Sequence, residues 1–160
     1  MTIFFSRLKV GYPQPQKEPE DFVGSWKVYT ILGARSRDAC TTRKDVNELE
    51  LEDRKKARSV FITLINRAQT GQPLSALYDA KQCHEAFSFD FNGSPFTIYR
   101  IRAANIRIYF CYLPNKNIVI LKTQPKRKNK LHDGEKGALE NIARNVLQYS
   151  EPNNFMSRVI

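Results

Sequence analysis

The 160-residue chain carries 26 Lys and Arg against 16 Asp and Glu, which gives a formal net charge of +10 at pH 7. Its hydrophobic content of 41% excludes a disordered chain, and no apolar run approaches the ~20 residues that a membrane span needs. Three widely separated cysteines exclude a disulfide framework and a CxxC zinc site. The first residues also lack the basic start and long apolar core of a signal peptide, so we expect a cytoplasmic protein without a membrane partner.

Residues 1–23 are predicted to form an N-terminal extension. Three prolines lie between Pro13 and Pro19, a density that favours an extended connector over a helix or a central strand. We therefore place the folded domain at residues 24–150 and a C-terminal tail at residues 151–160. The first strand is predicted at Trp26–Ile31, where apolar and polar residues alternate and residues that favour β-strands are frequent.

Two helices are predicted from apolar residues that recur at three- and four-residue spacing. The first covers residues 45–68 and ends before Gly71. The second covers residues 135–149, with Asp133 as its candidate N-cap. Both have one apolar stripe, so we expect each to pack on a sheet.

Four strands are predicted between these helices, at residues 87–91, 98–102, 106–112 and 118–121. Short turns such as Asn92-Gly93 join them, and strands joined in this way pair antiparallel. The sequence thus predicts an α+β fold, with helices packed on one face of an antiparallel sheet.

Three arginines and a tyrosine are expected on one face of the central strands. Because side chains alternate along a strand, Arg100 and Arg102 share a face, as do Arg107 and Tyr109 on the next strand. If helices cover only the other face, these residues form an open basic surface that suits single-stranded nucleic acid. The solvent side of an ordinary antiparallel sheet would give the same pattern, so the strands alone leave both interpretations open.

A basic loop follows the last of these strands. It spans Lys122–Lys130 and holds five Lys or Arg and no acid: Lys122, Lys126, Arg127, Lys128 and Lys130. Like charges at this density repel one another unless an anion compensates them. Because the loop joins a core strand to a core helix, it favours polyanion binding over a solvated tail.

His132 directly follows this loop, and His84 is the only other histidine. RNA cleavage by attack of the 2′-OH needs proton transfer and stabilisation of the phosphorane charge. His132 is a candidate for the first role, and Arg107, Lys126 and Lys128 are candidates for the second, although a purely structural role for either histidine stays open. The sequence has no paired carboxylates, Gly-rich phosphate loop or metal-ligand cluster, so we expect neither a metal nor a cofactor.

From Trp26 to Tyr149 the chain resembles the RelE/ParE superfamily of bacterial toxins, in particular its HigB-like branch. The resemblance is carried by Phe87–Phe91, Tyr99–Arg102, Ile106–Phe110, Ile118–Leu121, the basic loop and the helix at residues 135–149. It implies a small fold of the microbial-ribonuclease type, with helices against a curved antiparallel sheet.

The resemblance also implies the toxin of a type II toxin–antitoxin system, which cuts mRNA on the ribosome without a metal and is held inactive by a cognate antitoxin. By the family pattern, Arg107 would bind phosphate and Tyr149 would lie near a C-terminal tyrosine that some members use. The remaining nucleic-acid contacts would come from Arg100, Arg102, Tyr109, Lys122, Arg127 and Lys130. ParE members inhibit DNA gyrase instead, so a non-catalytic gyrase inhibitor or nucleic-acid-binding regulator stays an alternative.

Overall fold

The computed structural model describes residues 2–8, 24–35, 39–126, 131 and 133–156. Arg127, Lys128, Lys130, His132 and the proline-containing connector lie outside the described residues. The elements are, in chain order, β1 (Phe4–Arg7), β2 (Lys27–Leu32), α1 (Thr41–Asn47), α2 (Leu51–Gln69), α3 (Leu74–Leu77), β3 (Cys83–Phe91), β4 (Ser94–Ala103), β5 (Ile106–Leu113), β6 (Asn117–Pro125), α4 (Asp133–Gln148) and β7 (Phe155–Met156). None of the described helices combines the length and the apolar character needed to cross a bilayer.

One sheet of seven strands, in the order β3-β4-β5-β6-β2-β1-β7, forms the centre of the fold. The four strands from β3 to β6 pair antiparallel, as their short turns predict. β2 pairs in parallel with β6, and β7 pairs in parallel with β1. The predicted α+β class with a mostly antiparallel sheet is confirmed.

Helices cover both faces of this sheet, so the prediction of helices on one face only is wrong. Leu64 of α2 and Ile108 of β5 belong to one hydrophobic core, whereas Ala143 of α4 and Tyr109 of β5 belong to another. The physical reason lies in β5, where every residue from Ile106 to Cys111 is buried. A strand that is packed on both faces is buried along its length, and in β5 this includes the charged Arg107.

The first residues of the chain belong to the sheet, so the predicted extension over residues 1–23 is wrong at β1. β1 pairs with β2, and Phe5 is fully buried. The Phe5 ring stacks on Phe155 of β7 at a centroid distance of 4.6 Å, which also places part of the predicted C-terminal tail in the sheet. Strands of four and two residues are too short to show a clear period in the sequence.

The helix predicted over residues 45–68 is in fact two helices, α1 and α2. Arg54 of α2 donates from Nε to the Leu49 carbonyl at 2.9 Å and from Nη2 to the Asn47 carbonyl at 2.7 Å. These bonds satisfy carbonyls that the end of α1 leaves without a helical partner. No Pro or Gly marks the break, so helix propensity could not reveal it.

Candidate anion-binding site

β4 and β5 bring the predicted arginines together. Arg102 pairs directly with Arg107, and Arg100 pairs directly with Tyr109 across the same two strands. All four side chains therefore share one face of the sheet, the face that α4 covers. We call these four residues the arginine cluster.

The arginine cluster is buried, so the prediction of an open basic surface is wrong. Arg107 is 2% exposed, Arg100 is 9% exposed and Tyr109 is fully buried, while Arg102 is half-buried. The prediction failed because it left this face of the sheet uncovered, whereas α4 packs on it. The arginines thus lie in an environment where their charges are far less hydrated than on a surface.

Several polar atoms of the arginine cluster have no hydrogen-bond partner among the described residues. They include Nε and Nη2 of Arg107 and Nε of Arg100. Leaving a buried guanidinium without partners is costly, and like charges directly opposite each other on paired strands destabilise the sheet. A bound anion would remove both costs.

Electrostatics within the arginine cluster agree with an anion site. Burial lowers the pKa of Arg100, and the charges of Arg107 and Arg102 lower it further, whereas the neighbouring Tyr109 raises it. Arginine nevertheless stays charged at neutral pH. No carboxylate of the described part of the chain forms an ion pair with any of the three arginines, so their charge is not compensated there.

His84 belongs to this site, although no pattern in the sequence placed it there. It pairs with Arg100 across β3 and β4, and its Nε2 accepts a hydrogen bond from Arg100 Nη2. Its Nδ1 lies 2.8 Å from the Glu85 carbonyl. Because a guanidinium can only donate, the ring proton is assigned to Nδ1, which donates to that carbonyl.

Lys122 is oriented toward α1. Its Nζ lies 2.9 Å from a carboxylate oxygen of Asp45, whose other oxygen accepts a bond from the backbone N–H of Thr123 at 3.0 Å. The charge of Lys122 is thus compensated within the protein. Its predicted contact with nucleic acid gains no support from this arrangement.

Lys126 lies close to the arginine cluster along the sheet. Its backbone N–H donates to the carbonyl of Asn105 at 2.7 Å. Asn105 lies in the turn that joins β4 to β5, next to the pair formed by Arg102 and Arg107. The predicted start of the basic loop at Lys122 is wrong, because Lys122–Pro125 belong to β6. The chain leaves the sheet at Lys126, at the end where these two arginines lie.

Tyr149 lies at the opposite end of α4 from the arginine cluster. Gln124 pairs with Arg107 on the neighbouring strand and donates to Glu135 at 3.4 Å, so α4 begins near the arginines. A helix rises about 1.5 Å per residue, which puts Tyr149 about 21 Å further along the axis than Glu135. The structure does not bring these two predicted catalytic residues, Arg107 and Tyr149, together.

Comparison with known proteins gave no match: no protein family, no curated protein and no solved structure is similar to this chain by these comparisons. A function for the chain therefore has to be inferred from the arginine cluster and its surroundings.

Proposed function

We propose that this protein is a metal-independent endoribonuclease of the RelE/ParE type. In this proposal it is the toxin of a type II toxin–antitoxin system, cleaves mRNA on the ribosome and is held inactive by a cognate antitoxin. The observation that carries the proposal is Arg107, a buried guanidinium directly opposite Arg102, with two nitrogen atoms that have no partner among the described residues.

A phosphate group is the anion that suits this arrangement best. A guanidinium presents parallel N–H groups that bind two oxygens of one phosphate, and two guanidiniums on paired strands can hold neighbouring oxygens. The same donors would stabilise the additional negative charge that develops on phosphorus when the 2′-OH attacks. Single-stranded RNA supplies both the phosphates and this internal nucleophile.

The basic loop supports the proposal through its attachment. Beyond β6 it begins at Lys126, whose backbone bonds to Asn105 in the turn beside the arginine cluster. It leads in sequence to Leu131 and to Asp133, the first residue of α4. We assign proton transfer to His132, between these two residues in sequence, and charge stabilisation to Arg107 and Lys128.

A non-catalytic protein, either a gyrase inhibitor or a nucleic-acid-binding regulator, is the second candidate. One observation favours it: the described proton-transfer candidates are not free beside Arg107. Tyr149 lies at the far end of α4, and Nε2 of His84 is already bonded to Arg100. Such a protein would use the arginine cluster for contact alone.

Expression of the chain alone in bacteria tests the proposal. A toxin of this type arrests growth and leaves mRNA cut within translated regions, and Arg107→Met should abolish both effects. Arg58→Met, on the exposed side of α2, is the matched control and should stay toxic. Normal growth with soluble wild-type protein would contradict the proposal, and arrest with gyrase-dependent DNA breaks but intact mRNA would favour the second candidate.

A further inference from the structure

A cavity of about 530 Å³ lies on the face of the sheet that α2 covers. Four of its lining residues, Trp26, Cys83, Tyr99 and Tyr112, pack against the hydrophobic core of that face. The arginine cluster lies on the other face, because side chains alternate along β4 and Tyr99 directly precedes Arg100. The cavity is therefore separate from the arginine cluster, and its volume is within the range that small-molecule sites occupy. We call it the aromatic pocket.

Three aromatic rings border the aromatic pocket, and the Tyr112 ring is inclined steeply to the other two. Its centroid lies 5.1 Å from that of Trp26, with 57° between the ring planes. The centroid of Tyr99 lies 4.9 Å from that of Tyr112, with 71° between the planes. All three residues are only half-buried, so part of their surface stays accessible at the pocket. Rings that meet at such angles form the walls of a corner, which fits a compact group better than a flat one.

Glu85 adds a carboxylate to these walls. It is exposed, lies opposite Tyr99 across β3 and β4 and lines the pocket. Burial raises the pKa of Tyr99 and the charge of Glu85 raises it further, which agrees with a carboxylate close to that phenol. No basic side chain among the described residues forms an ion pair with Glu85. Its negative charge is therefore available to a ligand.

The described residues that line the pocket include no Lys or Arg. His84 also lines it, but its Nε2 accepts a hydrogen bond from Arg100, so the imidazole is neutral in this arrangement. Lys116 Nζ lies 5.8 Å from the centroid of the Trp26 ring and donates to the Gly24 carbonyl at 2.9 Å, outside the lining of the pocket. The walls of the pocket thus combine aromatic surface with a net negative charge.

We propose that the aromatic pocket binds a small molecule that carries a methylated ammonium group, with this group against the three rings and Glu85 balancing its charge. Aromatic faces attract cations, and rings grouped around a quaternary ammonium are the established way in which proteins recognise such groups. A primary ammonium is strongly hydrated and loses more on leaving water, whereas a flat guanidinium fits the corner between the rings less well. A phosphate would be repelled by Glu85.

Trp26 makes the proposal testable, because it is the only tryptophan of the chain and lines the pocket. Its fluorescence is measured while the full-length protein is titrated with choline, at an ionic strength held constant with sodium chloride. We expect a saturable change. Dimethylbutanol, the uncharged isostere in which carbon replaces the nitrogen of choline, should bind roughly tenfold more weakly or worse, since only a cation gains from the ring faces and the carboxylate.

Two substitutions test the walls of the pocket separately. Glu85→Gln removes an exposed charge and should lower choline affinity by roughly fivefold, whereas Glu52→Gln on the exposed side of α2 is the matched control and should leave it unchanged. Tyr99→Phe keeps the aromatic face and should bind choline nearly as the wild type does. Tyr99→Leu removes that face and should bind several-fold more weakly.

Absence of a saturable change with choline, equal affinity for choline and dimethylbutanol, or full choline affinity in Glu85→Gln would each overturn the proposal. Arg107→Met should leave choline affinity intact, because Arg107 lies on the other face of the sheet. Loss of choline binding in Arg107→Met would contradict the separation of the two sites on which the proposal rests. The choline titration needs no RNA, so its outcome is independent of the proposed nuclease activity.

Discussion

The Nε2 atom of His84 accepts a hydrogen bond from Arg100 across the β3–β4 hairpin. Arg100 belongs to the arginine cluster, so this bond extends the candidate site to β3. It also orients a guanidinium whose Nε has no partner among the described residues. His84 is therefore a positioning residue for Arg100.

Replacing His84 separates this positioning role from a purely structural one. His84→Ala removes the acceptor, and we expect affinity for single-stranded RNA to fall about fivefold, equivalent to about 1 kcal/mol, the typical net value of one hydrogen bond. His84→Gln keeps an oxygen acceptor and should retain most of the affinity. Fluorescence anisotropy with a labelled oligonucleotide measures both. Equal loss in the two variants would show that the acceptor is unimportant.

Arg107 is predicted to reduce stability while supporting binding. Arg107→Met keeps the apolar length of the side chain and removes a buried charge that no carboxylate of the described residues pairs, so the free energy of unfolding should stay unchanged or rise by about 1 kcal/mol. RNA affinity should fall by roughly tenfold or more, since a charge-assisted phosphate contact is lost. Urea unfolding and anisotropy test the two parts. A variant that is strongly destabilised yet binds RNA normally would show that the guanidinium has a structural role.

The sequence predicted well the features that depend on local patterns. The strands from β3 to β6 and α4 were found because their apolar periods are long and their turns carry clear signals. The alternation of side chains also placed Arg102 and Arg107 on one face, as the strand register shows. What it missed was burial, because no local pattern says that α4 packs on this face of the sheet.

His84 illustrates a second limit of sequence prediction. The hairpin register that starts with Phe91 opposite Ser94 would, if it continued regularly, put His84 opposite Ile101. A β-bulge between Glu85 and Phe87 shifts the register by one residue, so His84 faces Arg100 instead. One inserted residue changes the face to which a side chain points, and no Gly or Pro marks this bulge in the sequence.

His132 and Tyr149 are expected to differ sharply in RNA cleavage. His132→Gln should lower the cleavage rate by roughly 10²–10⁴-fold while substrate affinity stays almost unchanged. Glutamine can form hydrogen bonds to the substrate, but it cannot take up and release a proton near neutral pH. Tyr149→Phe should cleave normally, since Tyr149 lies at the other end of α4 from Arg107. Single-turnover cleavage of a labelled mRNA measures both. Loss of activity in Tyr149→Phe with full activity in His132→Gln would reverse the assignment.

Asp45 is predicted to be important for stability, because its carboxylate joins α1 to β6. It is 7% exposed and accepts hydrogen bonds from Lys122 Nζ and the Thr123 N–H. Asp45→Ala leaves a buried N–H without its partner, so the free energy of unfolding should fall by about 2 kcal/mol. The control is Glu140→Ala, which breaks the more exposed pair with Arg144 and should cost about 0.5 kcal/mol or less. Equal losses in urea unfolding would contradict the buried role of Asp45.

The half-buried thiol of Cys83 and the buried thiol of Cys111 predict a loss of stability at alkaline pH. Burial raises the pKa of Cys83 from 9.0 to about 11 and that of Cys111 from 9.0 to about 12. The unfolded chain therefore releases these protons at lower pH than the folded one. Their contribution to stability is complete below pH 9 and is lost as the pH rises through the folded pKa of each thiol.

Urea unfolding measured from neutral pH upward tests this dependence. The free energy of unfolding should fall progressively from pH 9 toward pH 11 in the wild-type protein. Cys83→Ala should show a shallower alkaline fall, because one of the groups that the folded state keeps protonated is gone. The free energy of unfolding of Cys83→Ala at neutral pH serves as the control, since there it differs from the wild-type value only by the packing contacts that the thiol made. An alkaline profile parallel to that of the wild type would mean that the Cys83 thiol ionises equally easily in the folded and unfolded chains.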